Sequence, residues 1–247
     1  MDRAAENSRR GFLQLTGITA TGLLIGAFAT PAAGDDKAAP GGKPNKQKSD
    51  HEEEDVSPAE DLMREHGVLK RILLVYGEAG RRIDAGEELP PDPILDAAKI
   101  VRSFVEDHHE TLEENFLFPR FRKANKLVDL VDILMRQHEG GRKLTEITLR
   151  YANLKSLRDA SEKRQLRDSM AQFIRMYNTH VAREDTVLFP AFRTIVNKHE
   201  YDVLGEDFEK KEHELFGSDG FEKMVDRVAD IEKSLGIYDL AQFTPKV

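Results

Sequence analysis

The chain contains no cysteine among its 247 residues, and this absence excludes several classes of site. Disulfides, zinc sites built from thiolates and cysteine-bound iron–sulfur clusters all require that residue. Any metal must therefore be held by nitrogen and oxygen atoms. Aromatic residues are also scarce, at 7%, which favours a small pocket. The net charge of −8 argues against nucleic acid as a partner.

The amino-terminal region is predicted to lie outside the fold. The stretch Ser8-Arg9-Arg10-Gly11-Phe12-Leu13 resembles a twin-arginine export signal and precedes a moderately apolar stretch at 12–29. That stretch carries Gln14 and several threonines and glycines, so it is a poor membrane anchor. We predict a signal peptide at 1–34, with an uncleaved amphipathic leader as the alternative, and a periplasmic or otherwise exported protein without stable membrane insertion. Residues 35–56, rich in proline, glycine and charge, predict a disordered linker.

The remaining sequence predicts an all-α fold. Ser57-Pro58-Ala59-Glu60 has the form of a capping box with proline at the first helical position, so a helix begins there. Apolar residues recur at intervals of three and four, and strand signals are absent. We predict an antiparallel four-helix bundle over 57–197, followed by a carboxy-terminal extension over 198–247 with two short helices. The predicted helices cover about 58–86, 92–122, 126–153, 161–195, 199–215 and 221–235.

An internal duplication is the most informative pattern. LMREH at 62–66 reappears as LMRQH at 134–138, which is 72 residues later. HxxxE at 109–113, followed by LFP at 117–119, reappears 71 residues later. Four histidines and two glutamates are placed by this repeat, and they are the natural ligands for a pair of metal ions. The predicted metal ligands are His66, His109, Glu113, His138, His180 and Glu184.

The spacing of these residues suits a two-metal site. Residues four positions apart share one face of a helix, so each HxxxE motif presents an imidazole and a carboxylate together. The simplest assembly has Glu113 and Glu184 bridging two ions, with two histidines on each ion. Such a set favours iron or manganese over zinc. The alternative is that the histidines are ordinary core residues, but burying six such groups unpaired would cost several kcal/mol.

Neighbouring residues are less clearly assigned by the repeat. His108 aligns with a threonine in the second half, so His109 is the better ligand. Glu110 aligns with a valine; it is either an extra metal ligand or a carboxylate that is solvated or supports a ligand. Glu114 and Asp185 align with each other as acidic neighbours of the bridging residues. The sequence leaves two alternatives open for this pair: the carboxylates orient the metal ligands, or they lie on the surface.

These motifs resemble the hemerythrin-like (HHE cation-binding) domains over about residues 57–197. The resemblance implies a non-haem di-iron centre of the Fe–O–Fe type, with the six predicted ligands in matching positions. Oxygen-carrying hemerythrins have HxxxH on the third helix, whereas this chain has Arg142 four residues after His138. They also end the fourth-helix motif with HxxxxD, where this chain has HxxxE. The pattern is closer to di-iron repair proteins of nitrosative stress, without their cysteine-bearing domain, and to peroxide-decomposing relatives.

We therefore predict an exported non-haem di-iron protein that binds or reduces a small oxidant, namely O2, peroxide or nitric oxide. Two alternatives are an iron-handling protein without turnover and a reversible O2 carrier. A third is a bundle in which metal only stabilises the fold. The sequence leaves open whether the protein is an enzyme.

Overall fold

The computed structural model describes residues 56–247, and this part of the chain is helical without any strand. The predicted signal peptide and all but the last residue of the predicted linker lie outside the described residues. Two of the helices, α2 and α5, are continuous runs of α- and π-helical segments. The helices are α1 Pro58–Ala85, α2 91–123, α3 Val128–Tyr151, α4 Leu154–Arg158, α5 160–192, α6 Lys198–Phe216 and α7 Gly220–Ser234, before a 3₁₀ turn Leu240–Phe243.

Helices α1, α2, α3 and α5 form an antiparallel bundle, which confirms the predicted all-α fold. The end of α1 meets the start of α5, where Asp84 and Arg167 form an ion pair at 3.0 Å. The end of α2 likewise meets the start of α3, where Arg122 and Asp132 lie 2.9 Å apart. Opposite ends in contact are what an up-and-down bundle with short loops requires.

The ends of α1 follow from local sequence. The Ser57 hydroxyl accepts a hydrogen bond from the Glu60 N–H at 3.4 Å, and Pro58 occupies the first turn, where its missing N–H costs nothing. Gly86 ends the helix at φ +67°, a left-handed conformation that glycine adopts without a side-chain clash. The short helix α4 was not predicted; Asn153 begins it by accepting the N–H of Ser156 at 3.0 Å.

Wider π-helical turns occur at equivalent places in the two halves. Segments Glu113–Leu117 and Glu184–Leu188 each begin at a predicted bridging glutamate and end two residues before a proline. Proline lacks an N–H donor, and its ring clashes with the carbonyl four residues earlier. An inserted π turn changes the local hydrogen-bond register in front of Pro119 and Pro190, so that the helices continue beyond them. The sequence did not predict these π turns.

The hydrophobic core consists of two clusters, with the polar residues of the repeat between them. Along α1, Leu62 belongs to one cluster and Leu69 to the other, and His66 lies between them. Along α2, Phe104 and Phe118 bracket the HxxxE motif in the same way. The layer of polar residues is therefore closed by apolar side chains on both sides.

The carboxy-terminal helices pack on the outside of the first half of the bundle. Helix α7 contacts α1 and α2, and α6 contacts α1. Arg71 of α1 forms an ion pair with Glu232 of α7 at 2.5 Å. Among the described residues, no helix combines the length and the apolar character that crossing a membrane requires.

Candidate metal centre

The structure brings the six predicted ligands together in the middle of the bundle. One comes from α1, two from α2, one from α3 and two from α5. None of the six is more than 3% exposed. Their side-chain atoms form two overlapping groups in which potential ligand atoms lie within 4.8 Å of one another, and Glu113 belongs to both. The two halves of the duplication thus contribute equally to one buried cluster.

The histidines form two pairs. The ring centres of His66 and His109 lie 4.7 Å apart, and those of His138 and His180 lie 5.0 Å apart. Each pair comes from one half of the repeat, so the cluster has one pair of imidazoles per half. We refer to the two places as the His66/His109 position and the His138/His180 position.

Each glutamate spans both positions. The two oxygens of Glu113 lie 3.9 Å from His109 Nε2 and 3.4 Å from His138 Nε2. The two oxygens of Glu184 lie 3.4 Å from His66 Nε2 and 3.0 Å from His180 Nε2. Ligand atoms that share one ion at bond lengths of about 2.1 Å lie roughly 3 Å apart, so these separations suit shared ions. Each carboxylate has one oxygen for each position.

Six of the eight atoms that would bind metal have no hydrogen-bond partner among the described residues. The four carboxylate oxygens of Glu113 and Glu184 accept no hydrogen bond among the described residues, and Nε2 of His109 and of His138 is likewise without one. Buried polar atoms without partners are costly. Because these atoms converge on one place and are of the types that bind iron, manganese or zinc, the residues fit a pair of metal ions.

Without metal, the cluster is a set of competing charges. Burial and the facing Glu184 carboxylate hold the pKa of Glu113 well above its usual range. Burial also acts to raise the pKa of Glu184, but His180 and His66 outweigh it and lower that pKa. For His66, burial favours the neutral form, yet the Asp185 and Glu184 carboxylates raise its pKa to about 9. The two facing carboxyl groups are thus shifted in opposite directions, Glu113 towards its protonated form and Glu184 towards ionisation beside the cationic imidazole of His66.

Two other imidazoles of the cluster, those of His109 and His138, are kept neutral. Burial lowers the pKa of His109, and the nearby charge of His66 lowers it further, against the effect of Glu65. Burial and His180 lower the pKa of His138 to about 4, although Glu114 opposes them. A neutral imidazole is the form that binds a metal ion.

Each histidine also has a hydrogen-bond acceptor on the side away from the cluster. His66 Nδ1 donates to Asp185 at 2.7 Å and His138 Nδ1 donates to Glu114 at 2.9 Å. Bonds of this kind fix the ring orientation and leave Nε2 for the metal. The corresponding bonds of the other two rings run from His109 to Glu65 at 2.7 Å and from His180 to Gln137 at 3.0 Å.

Aromatic rings of the duplicated LFP motifs pack against two histidines of the cluster. Phe189 stacks on His66 and Phe118 stacks on His138, each with ring centres 5.5 Å apart. Sequence reasoning treated these phenylalanines only as markers of the duplication, and it did not assign Glu65 or Gln137. The repeat itself was the available signal, because all four residues belong to the duplicated motifs.

Glu110 is buried beside the six ligands, so the alternative of a solvated carboxylate is wrong. It accepts a hydrogen bond from the Tyr177 hydroxyl at 2.5 Å, and the Arg142 guanidinium lies 3.0 Å from its carboxyl group. Burial raises the pKa of Glu110 to about 8, against the effects of Tyr177 and Arg142. Arg142 also lies 2.6 Å from Glu114. The arginine that replaces the extra histidine of oxygen carriers is therefore bound to carboxylates.

His108 is not one of the six predicted ligands, and it contacts the carboxy-terminal extension. Its Nε2 donates to Glu65 at 3.2 Å, and Glu212 of α6 lies in the same buried group. The Phe216 ring packs edge-on against it with ring centres 5.6 Å apart. The repeat had indicated His109 as the better ligand. Both adjacent histidines contact Glu65, but His109 also turns its Nε2 towards Glu113, at 3.9 Å.

Comparison with known proteins agrees with this geometry. A family model described as the hemerythrin HHE cation binding domain matches residues 57–156 and again 129–243. The chain is 44% identical over 238 residues to uncharacterized proteins of Mycobacterium bovis and Mycobacterium tuberculosis, covering 96% of this chain and 91% of each relative. No solved structure gives a significant match. The family match covers both halves of the buried cluster.

Proposed function

The chain belongs to the hemerythrin HHE cation-binding domain family, and we propose that its six buried ligands hold two iron ions. The observation that carries this proposal is that Glu113 and Glu184 each direct one oxygen to either pair of histidines. Two carboxylates in that arrangement would hold a pair of ions between the two pairs of histidines. A site of imidazole and carboxylate alone, in a chain without cysteine, suits iron better than zinc when two ions share bridges.

We further propose that this centre reacts with a small oxidant, namely O2, peroxide or nitric oxide. Iron bound there supplies the electrons for such chemistry. The contribution of the chain is to hold the imidazoles, through Asp185, Glu114 and their counterparts, and to exclude bulk water. Apolar clusters close both sides of the cluster, and its ligands are almost fully buried. A sealed site of this kind admits only small molecules.

Reaction is favoured over reversible O2 carriage by the position of Arg142. A histidine one turn after His138 would add a nitrogen ligand to the His138/His180 position, whereas Arg142 is bound to Glu110 and Glu114. Fewer protein ligands leave more of the coordination sphere open to an exogenous molecule. The same arrangement supports binding of nitric oxide.

The test begins with protein reconstituted anaerobically with ferrous iron. We expect close to two irons per chain and, after exposure to O2, the near-ultraviolet absorption of an oxo-bridged ferric pair. The sample is then swept with inert gas. Return of the diferrous spectrum without reductant would establish a carrier, and absence of any reaction with O2, peroxide or nitric oxide would favour iron handling. A content of one zinc, or no metal, would refute the di-iron centre.

Export by the twin-arginine route is a separate proposal, based on Arg9 and Arg10. This route carries folded proteins, so the centre is loaded before export and the choice of metal is made in the cytoplasm. The double substitution Arg9→Lys and Arg10→Lys is expected to retain metal-loaded protein in the cytoplasm. Continued export of the double variant would contradict the proposal.

A further inference from the structure

The four hydrogen bonds that support the histidines are not equivalent. Three of the acceptors are carboxylates, and the fourth is the side-chain amide oxygen of Gln137. Gln137 occupies the position in the second half that Glu65 occupies in the first, since each directly precedes the lone histidine of its half. Among the four acceptors, this is therefore the pair of equivalent residues whose charge differs between the halves, and both members contact a proposed ligand.

The two positions consequently differ in the acceptors of their imidazoles. At the His66/His109 position both imidazoles donate to carboxylates, Asp185 and Glu65, at 2.7 Å. At the His138/His180 position, one imidazole donates to a carboxylate and the other to a neutral amide at 3.0 Å. Glu65 and Glu114 each bind a further donor, His108 and Arg142 respectively. The contrast between the positions therefore rests on Gln137.

We propose that the exchange of Glu65 for Gln137 makes the two metal positions unequal. The His66/His109 position binds its ion more tightly and holds the ferric state at a lower reduction potential than the His138/His180 position. The physical reason is that a carboxylate acceptor partially withdraws the Nδ1 proton. The imidazole then becomes more basic and its Nε2 binds a metal ion more strongly, an effect that is much smaller with an uncharged amide. This inference rests on the proposed pair of irons and specifies how the two differ.

Reciprocal exchange tests the proposal. In Gln137→Glu the weaker ferrous affinity is expected to rise by about 10-fold, and in Glu65→Gln the stronger one to fall by about 10-fold, the scale on which outer-shell partners act. The reduction potential is expected to move down in the first variant and up in the second. Affinities are measured by anaerobic competition with a chelator, and potentials by spectroelectrochemical titration of the reconstituted protein.

The double variant Glu65→Gln/Gln137→Glu separates electronic from structural effects. It is expected to recover two unequal affinities and a near-native potential. If each substitution only damaged the site, the losses of affinity in the two single variants would add in the double variant. Glu139→Gln, at an exposed position on the same helix as Gln137, is the matched control and should change neither quantity.

Two results would overturn the proposal while leaving the di-iron centre intact. One is a native protein that binds two irons with equal affinity, and the other is a Gln137→Glu variant whose affinity and potential do not move. If Glu65→Gln fails to fold, Gln137→Glu alone decides. Failure of the native protein to bind a second iron would overturn the proposed centre as well, and the iron content distinguishes that outcome.

Discussion

Asp185 on α5 accepts the Nδ1 proton of His66 on α1 at 2.7 Å, across 119 positions of sequence. The equivalent bond runs from His138 to Glu114 at 2.9 Å. Each of these acceptors directly follows a glutamate that we propose as a bridge, so one helical turn carries a proposed ligand and supports a histidine of the other half. Phe189 and Phe118 stack on the same two histidines. Neither half of the duplication can therefore assemble the site alone.

Removal of the cross-half bond tests this dependence. Asp185→Ala is expected to weaken metal binding by roughly 10- to 100-fold, because His66 loses the acceptor that orients its ring. The measurement is the rate and extent of iron transfer to a chelator. Glu139→Ala, which removes an exposed carboxylate of α3, should leave the transfer unchanged. Equal effects in the two variants would show that the Asp185 bond does not support the ligand.

Loss of either proposed bridging carboxylate should affect iron binding, whereas loss of the buried carboxyl group of Glu110 should affect stability. Glu113→Ala and Glu184→Ala are each expected to abolish stable binding of at least one ion, since each residue serves both positions. Glu110→Ala should retain two irons but lose about 1–3 kcal/mol of stability, because the Tyr177 hydroxyl loses its acceptor. Iron content and chemical denaturation measure the two effects. Loss of iron in the Glu110 variant would make Glu110 a ligand.

The helices and the grouping of the six residues were predictable from the sequence for different reasons. Helix ends followed from local signals such as Ser57 and Gly86, and the inward faces followed from apolar spacing. The convergence of the predicted ligands could be predicted from the duplication, since residues on the inward faces of two similar halves come together inside one bundle. The family resemblance added the expected metal but no contact between particular atoms.

The contacts that surround the six predicted ligands were not predictable from the sequence, because they depend on how the helices are rotated against each other. Whether Asp185 faces solvent or His66 differs by a small rotation of α5, which the π turn at Glu184–Leu188 affects. The burial of Glu110 depends in the same way on Tyr177, which reaches it from α5. The position of Arg142 could be read from the sequence, but not its two carboxylate partners.

Two adjacent glycines of α3 provide a paired test of the packing around Glu110. A Cβ at Gly141 would overlap the Tyr177 hydroxyl, whereas one at Gly140 would meet only Met176 Sδ at 3.6 Å, an ordinary contact. Gly140→Ala should be neutral or stabilising by up to about 1 kcal/mol, the difference in helix propensity. Gly141→Ala should destabilise by about 1–3 kcal/mol, since Tyr177 must move away from Glu110. Denaturation midpoints measure both, and equal midpoints would contradict the tight packing of Tyr177.

Metal uptake should release protons, and the direction follows from the pKa values of the metal-free cluster. His66, with a pKa raised to about 9, carries its extra proton at neutral pH, and the raised pKa of Glu113 shifts that carboxyl group towards its protonated form. Both groups bind a metal ion in their deprotonated forms, so we expect release of about one proton per chain from His66 at pH 7, with a further contribution from Glu113. His138, with a pKa of about 4, is already neutral and adds none.

The affinity for iron should accordingly increase as the pH rises towards 9, because the proton on His66 competes with the ion below that value and not above it. Calorimetric titration in buffers of different ionisation enthalpy counts the protons. Repeating the titration above pH 9 should lower the count by about one, the share of His66. A count that is zero at pH 7, or that does not change with pH, would mean that the Asp185 and Glu184 carboxylates do not hold His66 in its charged form before the metal binds.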